Sequence, residues 1–239
     1  MTYTIEKVTT LIGARRYGDK DTNIGFILTD SRSLCFPEET LFFALKSERN
    51  DGHNYIPELY RRGVRNFVVT NVPKGYASDY PEANFLKVVN TLEALQRLAE
   101  RHRDEFNIPI VGITGSNGKT MVKEWLHQLL SPNMFVTRSP RSYNSQIGVP
   151  LSVWLMNEQT EVGVFEAGIS QPGEMLALRD IIQPTIAVLT YLGSAHQENF
   201  DSLEAKCREK IILFHDAETI VYNGDDEIVA RVVVEYPDY

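Results

Sequence analysis

The loop from Gly115 to Thr120 has the residue types and the spacing of a site that binds nucleotide phosphates. Its two glycines can adopt positive φ and let backbone N–H groups approach an anion without an intervening Cβ atom. Lys119 adds a mobile positive charge, and the hydroxyl of Thr120 can be an oxygen ligand of a phosphate-bound Mg²⁺. The predicted nucleotide-binding residues are Gly115, Ser116, Asn117, Gly118, Lys119 and Thr120.

The elements on both sides of this loop favour the same interpretation. Ile110-Val-Gly-Ile113 is a short apolar run, which is typical of a buried parallel strand. A helical pattern follows, and the positive end of that helix would point at a bound phosphate. The strict Gly-x4-Gly-Lys-Thr motif is not met, because position 113 is Ile. An ordinary strand-to-helix turn that uses Gly and Asn for positive φ is the alternative.

Two further polar side chains follow predicted strands and are candidate metal ligands. Glu166 comes directly after the apolar run Val162–Phe165, a position that suits a Mg²⁺ ligand, although a solvated loop glutamate is the alternative. His196 follows the predicted strand Thr185–Leu189. A neutral imidazole can bind a metal, but Mg²⁺ prefers oxygen, so the spacing is equally consistent with a polar loop histidine.

Lys206 and Lys210 lie four residues apart on the predicted helix Leu203–Phe214 and therefore share one face of it. The pattern alone favours two solvated lysines. Ile211 and its neighbours nevertheless place part of this helix against the core, so Lys210 could be partly buried and its reactivity altered.

A polar triplet, Asn144-Ser145-Gln146, precedes the helix start at Ile147-Gly-Val-Pro150. Its side chains and backbone donors could bind an anionic substrate. They could equally be turn and cap residues.

Composition limits the classes of partner that this chain can have. The 239 residues include 43% hydrophobic and 23% charged residues, as is ordinary for globular proteins. A net charge of −8, without a Lys/Arg cluster, argues against nucleic acid and predicts small ligands. Cys35 and Cys207 show neither disulfide nor zinc spacing. No signal peptide or membrane-spanning run is present, so we expect a cytoplasmic protein without membrane contact.

The positions of the short apolar runs predict an α/β fold in two domains. Residues 1–106 read as a small α/β domain that ends with a helix from Thr91, whose own side chain can cap it, and the boundary falls at Asn107-Ile-Pro109. Residues 107–239 read as a parallel sheet covered by helices on both faces. The predicted strands are Ile110–Thr114, Val162–Phe165, Thr185–Leu189 and Thr219–Tyr222, and the predicted helices are Lys119–Leu130, Gly173–Ile182, Leu203–Phe214 and Asp226–Val234.

With these residues in view, the chain resembles the Mur ligase family over nearly its whole length. The segment Thr114 to Thr120 matches the short family loop TG[ST]NGKT, which accounts for the missing generic motif. Further matches are Asp30-Ser-Arg32, Leu41-Phe-Phe-Ala-Leu-Lys46, Asp51-Gly-His53 and Asn144-Ser-Gln-Ile-Gly-Val-Pro150. Ser145 and Tyr191 depart from the family, which commonly has Asn at both positions.

The resemblance implies a role for each candidate residue. Lys119 would contact the β- and γ-phosphates of ATP, while Thr120 and Glu166 would hold one Mg²⁺. His196 would help to place a second Mg²⁺, and Lys210 falls where the family has a carbamylated lysine that binds that metal. The implied catalytic residues are Lys119, His196 and Lys210. Asn223 would contact adenine, Ser31 and Arg32 the uridine diphosphate of the substrate, and Asn144 and Ser145 the substrate as well.

The resemblance also implies a reaction. The family member with the most similar motifs uses ATP to phosphorylate the terminal carboxylate of UDP-N-acetylmuramoyl-tripeptide, and D-Ala-D-Ala then attacks the acyl phosphate to form an amide of the peptidoglycan precursor. The family has a third, C-terminal domain, and part of its central domain also lies beyond position 239. We therefore expect the chain alone to be inactive or nearly so.

Two other functions stay open at this point. Another amide ligase of the superfamily, such as the enzyme that adds the third stem residue or a folate polyglutamate ligase, would share the phosphate loop. A non-catalytic nucleotide-binding module is the alternative from another class. Retention of the residues of a two-metal site speaks against it.

Overall fold

The computed structural model of this chain describes residues 1–195 and 197–236. The chain divides into two compact units, Met1–Leu98 and Ala99–Tyr239. The division falls inside one helix, Thr91–Arg103. The domain boundary at residues 106 and 107 stays a prediction.

The first unit is a small α/β sheet domain. Its main sheet has the strand order β2-β7-β6-β5-β4, in which β7 to β4 are parallel and β2 is antiparallel to β7, while β1 and β3 form a separate antiparallel pair. The strands are β1 (Tyr3–Thr4), β2 (Arg15–Tyr17), β3 (Asn23–Ile24), β4 (Phe26–Leu28), β5 (Thr40–Phe43), β6 (Asn66–Val69) and β7 (Asn84–Lys87). The helices are α1 (Ile5–Leu11), α2 (Ile56–Arg61), α3 (Tyr76–Asp79) and α4 (Thr91–Arg103).

The start of α4 differs from the prediction. The side-chain oxygen of Asn90 accepts the N–H groups of Leu92 and Glu93, 2.9 Å and 3.4 Å away, so Asn90 caps the helix. The hydroxyl of Thr91 instead donates to the carbonyl of Ala44 at 3.2 Å. The expectation that Thr91 caps its own helix is therefore wrong, because tertiary packing buries that hydroxyl and gives it another acceptor.

The second unit is an all-parallel five-stranded sheet with the strand order β12-β11-β8-β10-β9. Its strands are β8 (Ile110–Thr114), β9 (Val136–Arg138), β10 (Val162–Glu166), β11 (Ile186–Leu189) and β12 (Thr219–Val221). Its helices are α5 (Lys119–Leu130), α6 (Gly148–Val153), α7 (Glu174–Ile182), α8 (Leu203–Ile211) and α9 (Glu227–Glu235). The α/β fold with a parallel sheet is thereby confirmed, although β9 was not predicted.

Helices cover both faces of this sheet, as its apolar strands require. On one face Val111 and Ile113 pack with Val122 and Leu126 of α5. The opposite face belongs to a larger core that includes Phe165 of β10 and side chains of α6, α7, α8 and α9. Successive side chains of one strand therefore pack into two different cores. This alternation fixes the face of the sheet to which the last side chain of each strand belongs.

Strand β8 lies at the centre of the sheet, with β10 on one side and β11 on the other. The connections after β8 and β10 therefore diverge from the middle of the sheet, a topological switch point where parallel α/β sheets bind ligands. The carboxyl ends of β8, β10 and β11 carry Thr114, Glu166 and Leu189. None of the helices in the described ranges combines the length and the apolar character that a membrane span requires.

Candidate functional site

The loop between β8 and α5 requires its two glycines. Gly115 has φ +140° and Gly118 has φ +89°. A Cβ atom on Gly115 would lie 2.1 Å from Oγ1 of Thr190, whereas one on Gly118 would make an ordinary contact of 3.6 Å with the same residue. Position 115 is thus restricted to glycine by both backbone conformation and space, and position 118 mainly by conformation.

Hydrogen bonds hold this loop against the segment that follows β11. The N–H of Ser116 donates to the carbonyl of Tyr191 at 2.7 Å, and its hydroxyl donates to the carbonyl of Gly193 at 3.1 Å. The N–H of Gly193 in turn donates to Ser116 Oγ at 2.9 Å. The hydroxyl of Thr190 donates to the carbonyl of Asn117 at 2.6 Å. The loop is therefore fixed to that segment through Ser116 and the carbonyl of Asn117.

The loop and the first residues of α5 line a pocket of about 230 Å³. Its lining residues are Ser116, Asn117, Gly118, Lys119, Thr120, Met121 and Asn144. Within the described residues, no acceptor bonds the N–H groups of residues 117 to 121, which form the loop end and the first turn of α5. A pocket lined by unbonded amides at a helix N-terminus favours an anion.

Lys119 reaches back over the loop. Its ammonium donates to the carbonyl of Gly115 at 2.7 Å. Burial lowers the pKa of Lys119 from its ordinary value, and the carboxylate of Glu166 opposes part of that shift. The side chain is therefore already folded over the pocket in which a phosphate would lie.

Glu166 is the last residue of β10 and its side chain is wholly buried. Its Oε2 accepts a hydrogen bond of 3.1 Å from Oγ1 of Thr120 and lies 3.5 Å from Nδ2 of Asn144. The alternative of a solvated loop glutamate is wrong, because the strand runs one residue further than predicted and carries Glu166 into the protein. Thr120, Glu166 and Asn144 come together beside the phosphate loop.

Sequence reasoning missed Lys123, which lies one helical turn after Lys119 on α5. Its side chain is wholly buried, and its Nζ lies 2.9 Å from Oε1 of Glu166. It also donates to the carbonyl of Arg141. The only signal in the sequence is the four-residue spacing from Lys119, which places both lysines on one helix face.

The segment before α6 contacts the end of β10 and the start of α5. Ser139 Oγ accepts the N–H of Glu166 at 3.1 Å, and the hydroxyl of Ser142 lies 3.4 Å from that of Thr120. The hydroxyl of Ser145 accepts the N–H of Gly148 at 3.2 Å, so it serves the start of α6. Gln146 donates to the carbonyl of Glu174 at 2.9 Å. Within the triplet, Asn144 is the residue that lines the pocket, while Ser145 and Gln146 bind backbone groups of Gly148 and Glu174.

Lys206 and Lys210 are both buried, with exposed fractions of 1% and 3%. The expectation of two solvated lysines is wrong, because this face of α8 packs against the core together with Ile211. Burial lowers the pKa of both ammonium groups, and that of Lys210 falls to about 8, with the charges of Lys119 and Lys206 adding to the effect. Lys206 donates to the carbonyls of Gly193 and Ala195.

The donor set beside the pocket suits a hard divalent cation. Thr120 Oγ1 and Glu166 Oε2 are oxygens, which Mg²⁺ prefers. In the described part of the chain, no three His, Cys, Asp or Glu side chains cluster as a metal site. His196, the predicted ligand of a second metal, lies outside the described residues. The fit to Mg²⁺ thus rests on Thr120 and Glu166.

Two family models match most of the chain. The model described as Mur ligase middle domain matches residues 113–237, and that described as Mur ligase family, catalytic domain, matches residues 23–103. The chain belongs to the Mur ligase family. The phosphate loop, Glu166 and the buried lysines all lie within the match to the middle domain.

Curated relatives indicate which of the Mur ligases this chain is similar to. The chain is 33% identical over 217 residues to the UDP-N-acetylmuramoyl-tripeptide–D-alanyl-D-alanine ligase of Bacillus subtilis (strain 168), a match that covers 88% of this chain and 46% of that protein. The enzyme of the same name from Synechocystis is 35% identical over 223 residues, covering 91% of this chain and 47% of that protein. The chain spans about half the length of these curated relatives.

Solved structures agree with the fold. A crystal structure of MurF from Acinetobacter baumannii matches with a TM-score of 0.86 at 26% identity and covers 98% of this chain and 52% of that one. MurF ligase from Thermotoga maritima in complex with ADP matches with a TM-score of 0.76 at 30% identity and covers 88% of this chain and 48% of that one.

The remaining site residues predicted for this Mur ligase chain lie in connections outside the α-helices and strands. Asn223 follows β12, and its side-chain oxygen accepts the N–H of Asp225 at 3.1 Å. In the first unit, Arg32 is 87% exposed and its Nη2 lies 2.6 Å from Oδ2 of Asp30. The hydrogen bonds from Arg32 lower the pKa of Asp30 to about 2. The carbonyl of Ser31 accepts from Nη1 of Arg62 at 2.9 Å. The roles of these residues stay predictions.

Proposed function

We propose that this chain carries the nucleotide site and the UDP-substrate site of an ATP-dependent amide ligase. The reaction joins D-Ala-D-Ala to UDP-N-acetylmuramoyl-tripeptide through an acyl phosphate, in the synthesis of the peptidoglycan precursor. The names of the two curated relatives described above support this choice of substrates over those of another Mur-type or folate polyglutamate ligase.

One observation carries the proposal: the amide-lined pocket at the N-terminus of α5 lies beside a buried carboxylate. The loop from Gly115 to Gly118 binds the phosphates of ATP through its backbone, and Lys119 exchanges its bond to the Gly115 carbonyl for the β- and γ-phosphates. Such contacts act chiefly by orienting the nucleotide and by balancing charge on the transferring phosphoryl group.

Thr120 and Glu166 hold Mg²⁺ in this proposal, with Oγ1 and Oε2 as its protein ligands. Bound Mg²⁺ neutralises negative charge on the phosphates. His196 and Lys210 serve a second Mg²⁺. In carbamylation the neutral amine of Lys210 would form an N–C bond with CO₂ and release a proton, which replaces a cation by a carbamate with oxygen ligands; a pKa of about 8 favours the neutral amine.

Asn223 contacts adenine, and Asn144 and Ser145 contact the substrate. Asn144 is the better placed of the two, because it lines the phosphate pocket. In the first unit, Ser31 and Arg32 bind the uridine diphosphate. Asp30 binds Nε and Nη2 of Arg32, which orients the guanidinium and leaves Nη1 for an anion.

A calorimetric titration tests the substrate assignment. We expect this chain to bind UDP-N-acetylmuramoyl-tripeptide more tightly than the dipeptide form that lacks the third stem residue. Arg32→Ala should weaken that binding by about 10-fold or more, since it removes charge-assisted hydrogen bonds. Arg61→Ala, at an exposed arginine of the same unit, is the matched control. Equal affinities for both ligands, or full binding by Arg32→Ala, would contradict the assignment.

A further inference from the structure

The carboxylate of Glu166 and the ammonium of Lys123 form an ion pair that solvent does not reach. Oε1 lies 2.9 Å from Nζ, and both side chains have an exposed fraction of 0%. Neither the phosphate-loop motif nor the roles proposed above involve Lys123. A buried lysine beside a candidate metal ligand therefore needs its own explanation.

The two oxygens of Glu166 face different surroundings. Oε2 faces Thr120 and Asn144, at 3.1 Å and 3.5 Å, and both of those residues line the phosphate pocket. Oε1 faces Lys123 and accepts no hydrogen bond of normal geometry from any described residue. One oxygen is thus directed to the pocket and the other to the lysine.

Lys123 is itself held in place from three directions. Besides Glu166, its Nζ contacts the carbonyl of Arg141 and lies 3.2 Å from Oε1 of Glu124. The same oxygen of Glu124 accepts a bond of 2.7 Å from Arg138. Charges therefore alternate along the row from Arg138 through Glu124 and Lys123 to Glu166, and no member of the row lacks a neighbour of opposite sign.

The carbonyl that contacts Lys123 belongs to a residue with an uncommon backbone conformation. Arg141 has φ +49°, a left-handed conformation that is uncommon for a residue with a Cβ atom. Its carbonyl accepts from Lys123 in that conformation. Strain of this kind persists where the surrounding structure over-determines it, and such positions cluster at functional sites.

We propose that Lys123 is a positioning residue for the metal site: by holding Oε1 of Glu166 it presents Oε2 alone to the pocket, so a divalent cation meets this carboxylate through one oxygen. The proposal rests on the nucleotide site proposed above. Lys123 acts through Glu166 and has no contact with the nucleotide. Without it, the carboxylate is free to rotate, and its buried charge lacks the nearest partner.

The effect of Mg²⁺ on ADP affinity is the readout, because an ion pair that only stabilised the fold would not change it. The Kd of ADP is measured by calorimetry for the unchanged chain, in MgCl₂ and in EDTA. Lys123→Met should bind ADP in EDTA with the affinity of the unchanged chain. The factor by which Mg²⁺ raises the affinity for ADP should be about 10- to 100-fold smaller, as is typical when a partner behind a metal ligand is removed. Lys123→Arg, which keeps the charge and the donors, should recover part of the gain that Mg²⁺ provides.

Lys74→Met is the matched control, since it makes the same substitution at an exposed lysine of the first unit, and its Mg²⁺ dependence should stay as in the unchanged chain. A folded Lys123→Met with the full Mg²⁺ gain would overturn the proposal and leave the nucleotide site intact. An unchanged chain that binds no ADP in either buffer would instead overturn the nucleotide site, and this proposal with it.

If Lys123→Met fails to fold, a crystal structure of the unchanged chain with Mn²⁺ and ADP tests the proposal instead. The proposal requires Mn²⁺ on Oε2, with Nζ of Lys123 still within hydrogen-bonding distance of Oε1. Coordination of the metal through both oxygens, or a displaced Lys123, would overturn it.

Discussion

Lys206 and Ser116 donate hydrogen bonds to one and the same acceptor, the carbonyl oxygen of Gly193. Ser116 belongs to the phosphate loop, whereas Lys206 lies on α8, where it is 1% exposed. A buried lysine on a distant helix is thereby joined to the phosphate loop through a single peptide group. This relationship makes the loop dependent on residues far from it in the sequence.

Lys206→Met should loosen the phosphate loop while it retains most of the buried volume. The substitution leaves the carbonyl of Ala195 without its donor, a loss of about 1 to 3 kcal/mol in the free energy of unfolding. Hydrogen exchange should become faster at the N–H groups of Ser116 and Gly193. Lys74→Met, at an exposed lysine, is the control. Unchanged exchange at both amides would show that Lys206 does not support the loop.

Gly115→Ala should abolish nucleotide binding through the loop conformation itself. The new Cβ atom combines φ +140° with a separation of 2.1 Å from Thr190 Oγ1, so the loop must move. Gly118→Ala separates the two causes, because Gly118 has φ +89° but its Cβ atom would make only an ordinary contact of 3.6 Å with Thr190. We expect Gly118→Ala to cost about 1 kcal/mol of stability and to lower ADP affinity less than Gly115→Ala does. Equal effects of the two substitutions on ADP affinity would contradict the steric argument.

Lys210→Met should have a higher free energy of unfolding than the unchanged chain at neutral pH, and this difference should disappear at alkaline pH. Burial lowers the pKa of Lys210 from 10.5 to about 8. Below pH 8 the folded state carries a buried charge at a cost of about 3 kcal/mol, since each pKa unit corresponds to about 1.4 kcal/mol. Between pH 8 and 10.5 the unfolded state binds more protons, so the unchanged chain gains stability as pH rises.

Urea unfolding of both proteins at several pH values, in buffer free of bicarbonate, measures this difference. The difference in unfolding free energy should shrink between pH 7 and pH 10.5. A difference that stays constant over that range would show that the ammonium of Lys210 is not destabilised by burial.

Local patterns predicted the elements that carry the phosphate loop. The apolar run before Gly115 and the pattern after Gly118 placed β8 and α5 with the bounds that the structure shows. Both elements are specified by neighbouring residues, so no tertiary information was needed. The Glu166 carboxylate was also expected at a strand end, as is found.

Features that depend on packing could not be predicted in the same way. Strand β9, Val136–Arg138, is short and half-polar, and it is a strand because it pairs with β10. The burial of Lys123, Lys206 and Lys210 depends on carboxylate and carbonyl partners that are 11 to 43 residues away in the chain, or on the core of the whole unit. Local hydrophobic patterns contain no information on contacts between residues so far apart in the chain, so these lysines were expected in solvent.

Titration of this chain with ADP in the presence of Mg²⁺ is the most direct test of the phosphate site, with Lys119→Ala measured in parallel. We expect saturable binding by the unchanged chain and affinity about 10- to 100-fold lower for Lys119→Ala, because a charged hydrogen bond to phosphate contributes about 1.5 to 3 kcal/mol. Equal affinities for both proteins, or no binding by the unchanged chain, would contradict the assignment of this loop to nucleotide phosphates.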